Sequence, residues 1–331
     1  MSLSPQEEEL AQRWVSFRPE IKIVDCTIRD GGLMNDHQFE DQTVQAVYRA
    51  CVEAGIDYME FGYKGAREMY DTSKYGIWKF SHEDDLRRIV GDNDTDLKIS
   101  VMADVDRTDI DRDILPRSDS VIDMVRVATY IHQVPGALAM IQDAHDKGYE
   151  TCVNLMAASV VSLAEIEGAL ELFAQSPVNT IYVVDSFGSM FTEQVRMLLG
   201  HYLKHAQAAG KEVGIHAHNN QQLAFANTIE AISLGANYLD GSIAGLGRGA
   251  GNCPTELLVG FLRNPKYHLR PLLTCIRDAL DPLRARMQWG PNIPYMITGQ
   301  LNRHPRAAMA WEDSDTCHDH VAFYDSVIEE E

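Results

Sequence analysis

The sequence predicts an α/β protein of the (β/α)8 TIM-barrel type, with a short N-terminal helix and a small helical C-terminal extension. Three observations predict it. Eight short, β-branched runs recur between residues 21 and 243. Amphipathic stretches separate them, as where Val44, Val47, Tyr48 and Cys51 fall at i, i+3, i+4 and i+7. Glycine stands at or just past the end of such stretches in VEAGID, HDKGYE and SLGANY, as a helix C-terminal cap requires. Strands that alternate with helices pair in parallel, and eight units over about 240 residues suit a closed barrel better than an open doubly wound sheet.

Taken in order, residues 1–20 read as a helical appendage, with Ser4 as cap, Pro5 in the first turn and three glutamates at the positive end of the dipole. Residues 21–263 carry the barrel. Its strand candidates are IKIVDCT (21–27), DYMEFG (57–62), LKISVMA (97–103), VIDMVRVA (121–128), ETCVNLM (150–156), NTIYVVDS (179–186), VGIHAHN (213–219) and NYLDGSI (237–243). Residues 264–331 form the extension: a long helix over about Leu269 to Gln288, the turn-rich WGPNIPY, a short helix near Leu301, and an acidic VIEEE end expected to be mobile.

The 331 residues include 29 basic and 49 acidic side chains, a formal net charge of −20, which argues against a nucleic-acid or anionic-membrane partner. No apolar run approaches the roughly 20 residues a membrane span needs, and MSLSPQEEEL lacks the basic and apolar regions of a signal peptide. A cytoplasmic protein is expected. Six scattered cysteines without CxxC spacing indicate neither a disulfide framework nor a zinc ribbon.

Chemistry concentrates at GIHAHNN, Gly214 to Asn220. Side chains alternate along a strand, so His216 and His218 share a face and can close on one ion, with packing or surface histidines as the plain alternative. In a barrel the loops after the strands build the active site, and Asp30 lies just past the first strand. Only the eighth strand separates it from the histidines. One carboxylate and two imidazoles leave open positions for a bidentate substrate, the arrangement expected for Lewis-acid catalysis by Mn²⁺, Mg²⁺, Co²⁺ or Zn²⁺. The 21 residues from Gly62 to His82 are long for a connection and set Lys64, Arg67, Lys74 and Lys79 among five aromatic rings. On so acidic a chain they read as a lid or clamp for an anionic substrate, or else as a solvated loop.

Three motifs, CTIRDGG after strand one, HAHNN at strand seven and DGSIAGLGRGAGNCPTE after strand eight, resemble those of the DRE-TIM metallolyase superfamily of HMG-CoA lyase-like enzymes. The resemblance covers roughly residues 21–300 and looks closest to the 4-hydroxy-2-oxovalerate aldolase branch. It implies metal ligands Asp30, His216 and His218, with Asn252 as a further ligand. It implies that Arg29 hydrogen-bonds the oxygen that becomes an enolate, and that Ser186 holds the substrate carboxylate. The plain alternatives are an Arg29–Asp30 pair and a helix cap at Asp185 and Ser186. Glu60 matches a superfamily glutamate that orients a metal-bound water or acts as general acid, with a salt bridge inside the barrel mouth as the plain alternative, and Tyr295 is placed near the site. GLGRGAGN follows strand eight without a P-loop lysine and hydroxyl, so it is not read as a nucleotide site.

The match breaks at Leu33, where the aldolase branch has its base histidine. Leucine cannot move a proton. His37, on the same loop, is the preferred replacement, with Asp36, Tyr295 and His304 as others. The resemblance implies a metal-dependent aldolase or lyase acting on a 2-oxo acid through a pyruvate-like enolate, with Mn²⁺ favoured and an aldehyde dehydrogenase as partner; a homodimer is the default expected of a barrel. Claisen condensation onto an acyl-CoA is the alternative, and an Fe(II) oxygenase or a non-catalytic metal scaffold the more distant ones.

Overall fold

A computed structural model describes residues 18–329, so the N-terminal helix expected around Ser4 and Pro5 lies outside the described residues. Eight parallel strands close in sequence order: β1 (Lys22–Asp25), β2 (Tyr58–Tyr63), β3 (Lys98–Asp104), β4 (Met124–Thr129), β5 (Glu150–Leu155), β6 (Thr180–Asp185), β7 (Glu212–Ala217) and β8 (Tyr238–Gly241). β8 returns to β1 through pairs such as Val24 with Asp240. This is the (β/α)8 barrel that the alternation of strand and helix patterns predicts.

Seven of the eight strand–helix units carry a full helix: α1 (Asp41–Ala54), α2 (Glu83–Val90), α3 (Val134–Asp146), α4 (Leu163–Gln175), α5 (Thr192–Ala208), α6 (Ala224–Leu234) and α7 (Thr255–Leu262). Between β3 and β4 there are only the single α-helical turn Ile110–Asp113, capped by Asp109, and a 3₁₀ turn at Arg117–Asp119. That segment is dense in aspartate, carries few apolar residues to bury, and meets Pro116. The three predicted cap glycines, Gly55, Gly148 and Gly235, all adopt positive φ, of 72°, 95° and 124°.

Strand alternation sorts the side chains into two cores. Outward residues such as Ile23, Val125, Ile181 and Leu239 join the layer between barrel and helices. Inward residues such as Val24, Tyr58, Met124, Tyr182 and Tyr238 fill the barrel. Gly214 of β7 is required by this filling, because a Cβ there would lie 2.6 Å from the Tyr182 ring. The inward positions nearer the C-terminal ends are charged or polar: Glu60, Arg126, His216 and Asp240 are all buried.

The extension differs from expectation in two places. The predicted Leu269–Gln288 helix is shorter and broken: α8 (Leu269–Cys275) passes through a π-helical stretch at Ile276–Leu280 and ends with Asp281–Leu283. Pro282 has no N–H to offer the helix, and a wider turn upstream takes up its ring. Asn292, in the segment read as a turn, caps α9 (Ile293–Gln300) by accepting the Tyr295 N–H at 3.0 Å. Two further helices follow, α10 (Arg306–Glu312) and α11 (His320–Glu329). The expectation of a mobile VIEEE end, whose final two glutamates lie outside the described residues, is corrected for Val327, which α11 buries with Phe323 and Tyr295 in a small core. Its apolar residues recur at helical spacing, which the run of acids in the sequence obscured.

Candidate metal centre

The turn Thr27–Gly31 after β1 raises Arg29 and Asp30 into the C-terminal mouth of the barrel. From β7, His216 and His218 arrive on the inward face, their rings 4.8 Å apart and nearly perpendicular. Donor atoms of Asp30, His216 and His218 all lie within 4.8 Å of one another. An isolated antiparallel backbone bridge pairs Asn252 with His218 beside them. Gly247 faces both side chains closely: a Cβ there would fall 2.5 Å from Asn252 Nδ2 and 2.7 Å from Asp30 Oδ2.

Each histidine is fixed by its other nitrogen. His216 Nδ1 donates to Asp240 Oδ2 at 2.8 Å and His218 Nδ1 to the Asp185 carbonyl at 3.0 Å, which leaves both Nε2 atoms as acceptors. Those two Nε2 atoms, and Asn252 Oδ1 and Nδ2, are buried without a hydrogen-bond partner among the described residues. Buried polar atoms are rarely left so, and a carboxylate with two imidazole nitrogens is a donor set for a first-row divalent cation. The residues fit such an ion.

The electrostatics agree with that use. Burial pulls the Asp30 carboxyl upward, but Arg29, His218 and His216 override it and hold it well below the usual carboxylate range. Burial pushes His218 down to about 4 against the opposing pull of Asp30, so at neutral pH it is an uncharged ligand. Asp240 feels the same penalty, yet Arg126 and His216 bring it down to about 2.

Charges alternate through the barrel mouth. Arg29 donates to Asp30 Oδ1 at 2.5 Å and to Glu60 Oε2 at 2.6 Å; Arg126 donates to Glu60 Oε2 at 2.9 Å and to Asp240 Oδ2 at 2.6 Å. One chain of contacts thus runs from Asp30 through Arg29, Glu60, Arg126 and Asp240 to His216. Asp240→Asn would keep the shape but remove the negative charge behind His216. It is expected to weaken Mn²⁺ binding about 10- to 100-fold, read by titration with the ion, and an unchanged affinity would remove Asp240 from the ligand's support.

This site joins a chain whose residues 20–281 match the family model described as HMGL-like. The chain belongs to the HMGL-like family. It is 32% identical over 275 residues to the 4-hydroxy-2-oxovalerate aldolase of Pelotomaculum thermopropionicum, covering 82% of this chain and 79% of that protein. The enzyme of that name from Moorella thermoacetica is 29% identical over 281 residues, 84% of this chain and 81% of its own. Among solved structures, the N-terminal domain of a candidate aldolase from Bacteroides vulgatus superposes with a TM-score of 0.78 at 30% identity, over 89% of this chain and 97% of that one. The HMG-CoA lyase of Brucella melitensis, at 17% identity and a TM-score of 0.63 over 80% and 99% of the two chains, shares the fold.

The remaining sequence-predicted residues of this family member fall in different places. Ser186, just past β6, accepts the Ala157 N–H at 2.8 Å, which leaves its own O–H to donate. Tyr295 lies in the first turn of α9 against Gly249, where burial pushes its phenol up to about 12. His37 is buried with its ring edge-on to Tyr63 at 5.3 Å, and burial, with Lys79 and Arg29 nearby, pushes it down to about 3. Lys64 turns away, its ammonium donating to the Ser81 carbonyl at 2.8 Å. Arg67 is exposed and lies over the Phe80 ring at 5.4 Å.

A cavity of about 150 Å³ opens above the C-terminal ends of β2 to β5, and neither Lys64 nor Arg67 lines it. Leu33, Tyr63, Lys79, Arg107, Arg248 and His304 do. It adjoins the metal centre through Arg248, whose N–H donates to Asp30 Oδ2 at 3.1 Å and whose side chain donates to the Ser186 carbonyl. Sequence reasoning missed Arg126, Asp240 and Arg248. A charge inside the apolar runs MVRVA and NYLDG was a signal for the first two, since such residues are almost never buried unpaired. Arg248 gave none beyond its glycine-rich setting.

Proposed function

We propose that the chain is a divalent-metal-dependent aldolase that forms or cleaves a carbon–carbon bond of a 2-oxo acid through a pyruvate-like enolate. The observation that carries this reading is the pair of orphaned imidazole nitrogens beside Asp30, with a buried guanidinium next to them. A cation held by Asp30, His216 and His218, with Asn252 beside them, would supply Lewis-acid polarisation of the 2-oxo acid.

The chain's own groups do the rest. Arg29, clamped between Glu60 and Asp30, is a fixed positive charge for the oxygen that gains charge as the enolate forms. Glu60 positions that guanidinium. Ser186 offers its free O–H to the substrate carboxylate. Leu33 stands on the cavity wall where the relatives' proton-moving histidine is expected, and His304 of the extension stands on the same wall. Its Nδ1 accepts the Arg306 N–H at 3.1 Å, so the neutral ring presents Nε2–H as a donor to the hydroxyl or aldehyde oxygen of the substrate. His37 does not line this cavity, its ring lying edge-on to Tyr63, and we assign it to packing there. Tyr295, its phenol protonated, closes the mouth from the extension side.

A cavity of about 150 Å³ is well below the roughly 300–1,000 Å³ of sites for larger ligands. This favours a small aldehyde over an acyl-CoA as the second reactant. Mn²⁺ as the ion and an aldehyde dehydrogenase partner extend this reading from the resemblance, while a homodimer and a cytoplasmic location are carried from the barrel default and the sequence of the chain. No helix among the described residues is long and apolar enough to cross a membrane.

The test is deuterium exchange into the methyl group of pyruvate, followed by NMR with Mn²⁺, Mg²⁺, Co²⁺ and Zn²⁺ in turn. Exchange above the metal-only rate is expected with at least one ion. Its absence with all four would overturn the aldolase reading.

A further inference from the structure

We propose that the cavity beside the metal centre is a subsite for a second, distal carboxylate, so that the bound chain is a dicarboxylic one rather than a 2-oxo acid with an apolar tail. The substrate class named here rests on the aldolase reading of the neighbouring site; the subsite itself rests on the charges that line the cavity.

On a chain with a net charge of −20, this cavity gathers Lys79, Arg107, Arg248 and Arg306 against one acid, Asp104. None of the four cations makes an ion pair among the described residues, although acids outnumber bases throughout the sequence. Lys79 is the telling one. The residue is 5% exposed, and its ammonium lies 4.0 Å from the Tyr63 ring centroid and 4.5 Å from that of Tyr70. No hydrogen bond to that ammonium exists among the described residues.

Burying an ammonium is costly unless a counter-charge meets it, and two aromatic faces offset only part of that cost. Burial accordingly pushes Lys79 down to about 8, with Asp104 opposing and Arg107 assisting. An arriving carboxylate would supply both the missing hydrogen bond and the counter-charge. Arg107 and Arg306 are exposed and stand at the entrance, where cations draw an anion inward. Leu33, Met102 and Met156 line the space between, room for a methylene or two of chain. The small volume argues for a carboxylate on a short chain.

The test compares ligands that differ only at the far end. Calorimetric titration of the Mn²⁺-loaded protein is expected to show 2-oxoglutarate binding about tenfold to hundredfold more tightly than 2-oxopentanoate, the range for hydrogen bonds to charged groups. Lys79→Gln should bring that ratio toward one, and so, to a smaller extent, should Arg107→Ala, an exposed position whose change spares the fold. With pyruvate as donor, succinic semialdehyde should be taken over butanal by a similar factor in kcat/KM. A wild-type binding ratio within about twofold, or one unmoved by both variants, overturns the subsite. Failure of pyruvate exchange with the binding ratio intact would sink the aldolase reading and leave the subsite standing, so the two are separable.

Discussion

Arg126→Met is expected to destabilise the protein by about 3–5 kcal/mol, because it leaves two buried carboxylates without the cation between them. Arg126 is fully buried, and its guanidinium bridges Glu60 and Asp240. After the change Glu60 retains Arg29 and Asp240 retains His216, but neither is compensated as before. Such a loss is a large share of the roughly 5–15 kcal/mol that holds a domain folded. Urea denaturation should show the midpoint falling with little change in slope. A combined Arg126→Met, Glu60→Gln, Asp240→Asn variant removes the uncompensated charges together, and should recover part of the stability. A single-variant effect below about 1 kcal/mol would mean that water, rather than Arg126, satisfies those carboxylates.

Arg29→Met is expected to lower the rate of pyruvate proton exchange at saturating metal by about 10²- to 10³-fold, the loss seen when one pre-oriented donor to a developing oxyanion is removed. Stability should suffer less than at Arg126, since Glu60 keeps Arg126 and Asp30 keeps the Arg248 N–H. Arg29→Lys should not rescue the rate. A single ammonium cannot reach Glu60 and Asp30 together in the planar fork that the guanidinium provides. A loss below about tenfold would place the charge of the enolate on some other group.

Together the two arginines show how the barrel mouth is organised. Arg29 stands beside Asp30, and Arg126 stands one contact behind it, joined through Glu60. The carboxylate behind His216 is held by the same Arg126, so the proposed metal-binding imidazole and the proposed charge-stabilising guanidinium share a single foundation.

Much of this was legible in the residues. HAHNN shows its pairing because strand alternation is strictly two-residue, and the position of Asp30 after the first strand follows once eight strands close. The alternation of patterns likewise gave the barrel. What pattern could not show was the β3–β4 crossover, where the helix shrinks to one turn, and the end of the chain, where Phe323 and Val327 find a core that exists only because α9 lies across them. The basic cluster from Gly62 to His82 was visible, but not its sorting. Of its cations only Lys79 reaches the cavity, because β2 slips register between Glu60 and Tyr63 and the chain then folds back so that Lys64 meets Ser81.

By itself, then, the sequence determined the closed barrel, the face shared by His216 and His218, and the local identity of Arg29 and Asp30, because all three depend on periodicity along one strand or one turn. Only the tertiary structure decided that Arg126 and Asp240 stand behind the site, and that Lys79, Arg107, Arg248 and His304 share one wall. Those contacts join residues far apart in the chain, and their distances are set by barrel closure and by the packing of the extension, which no local pattern encodes.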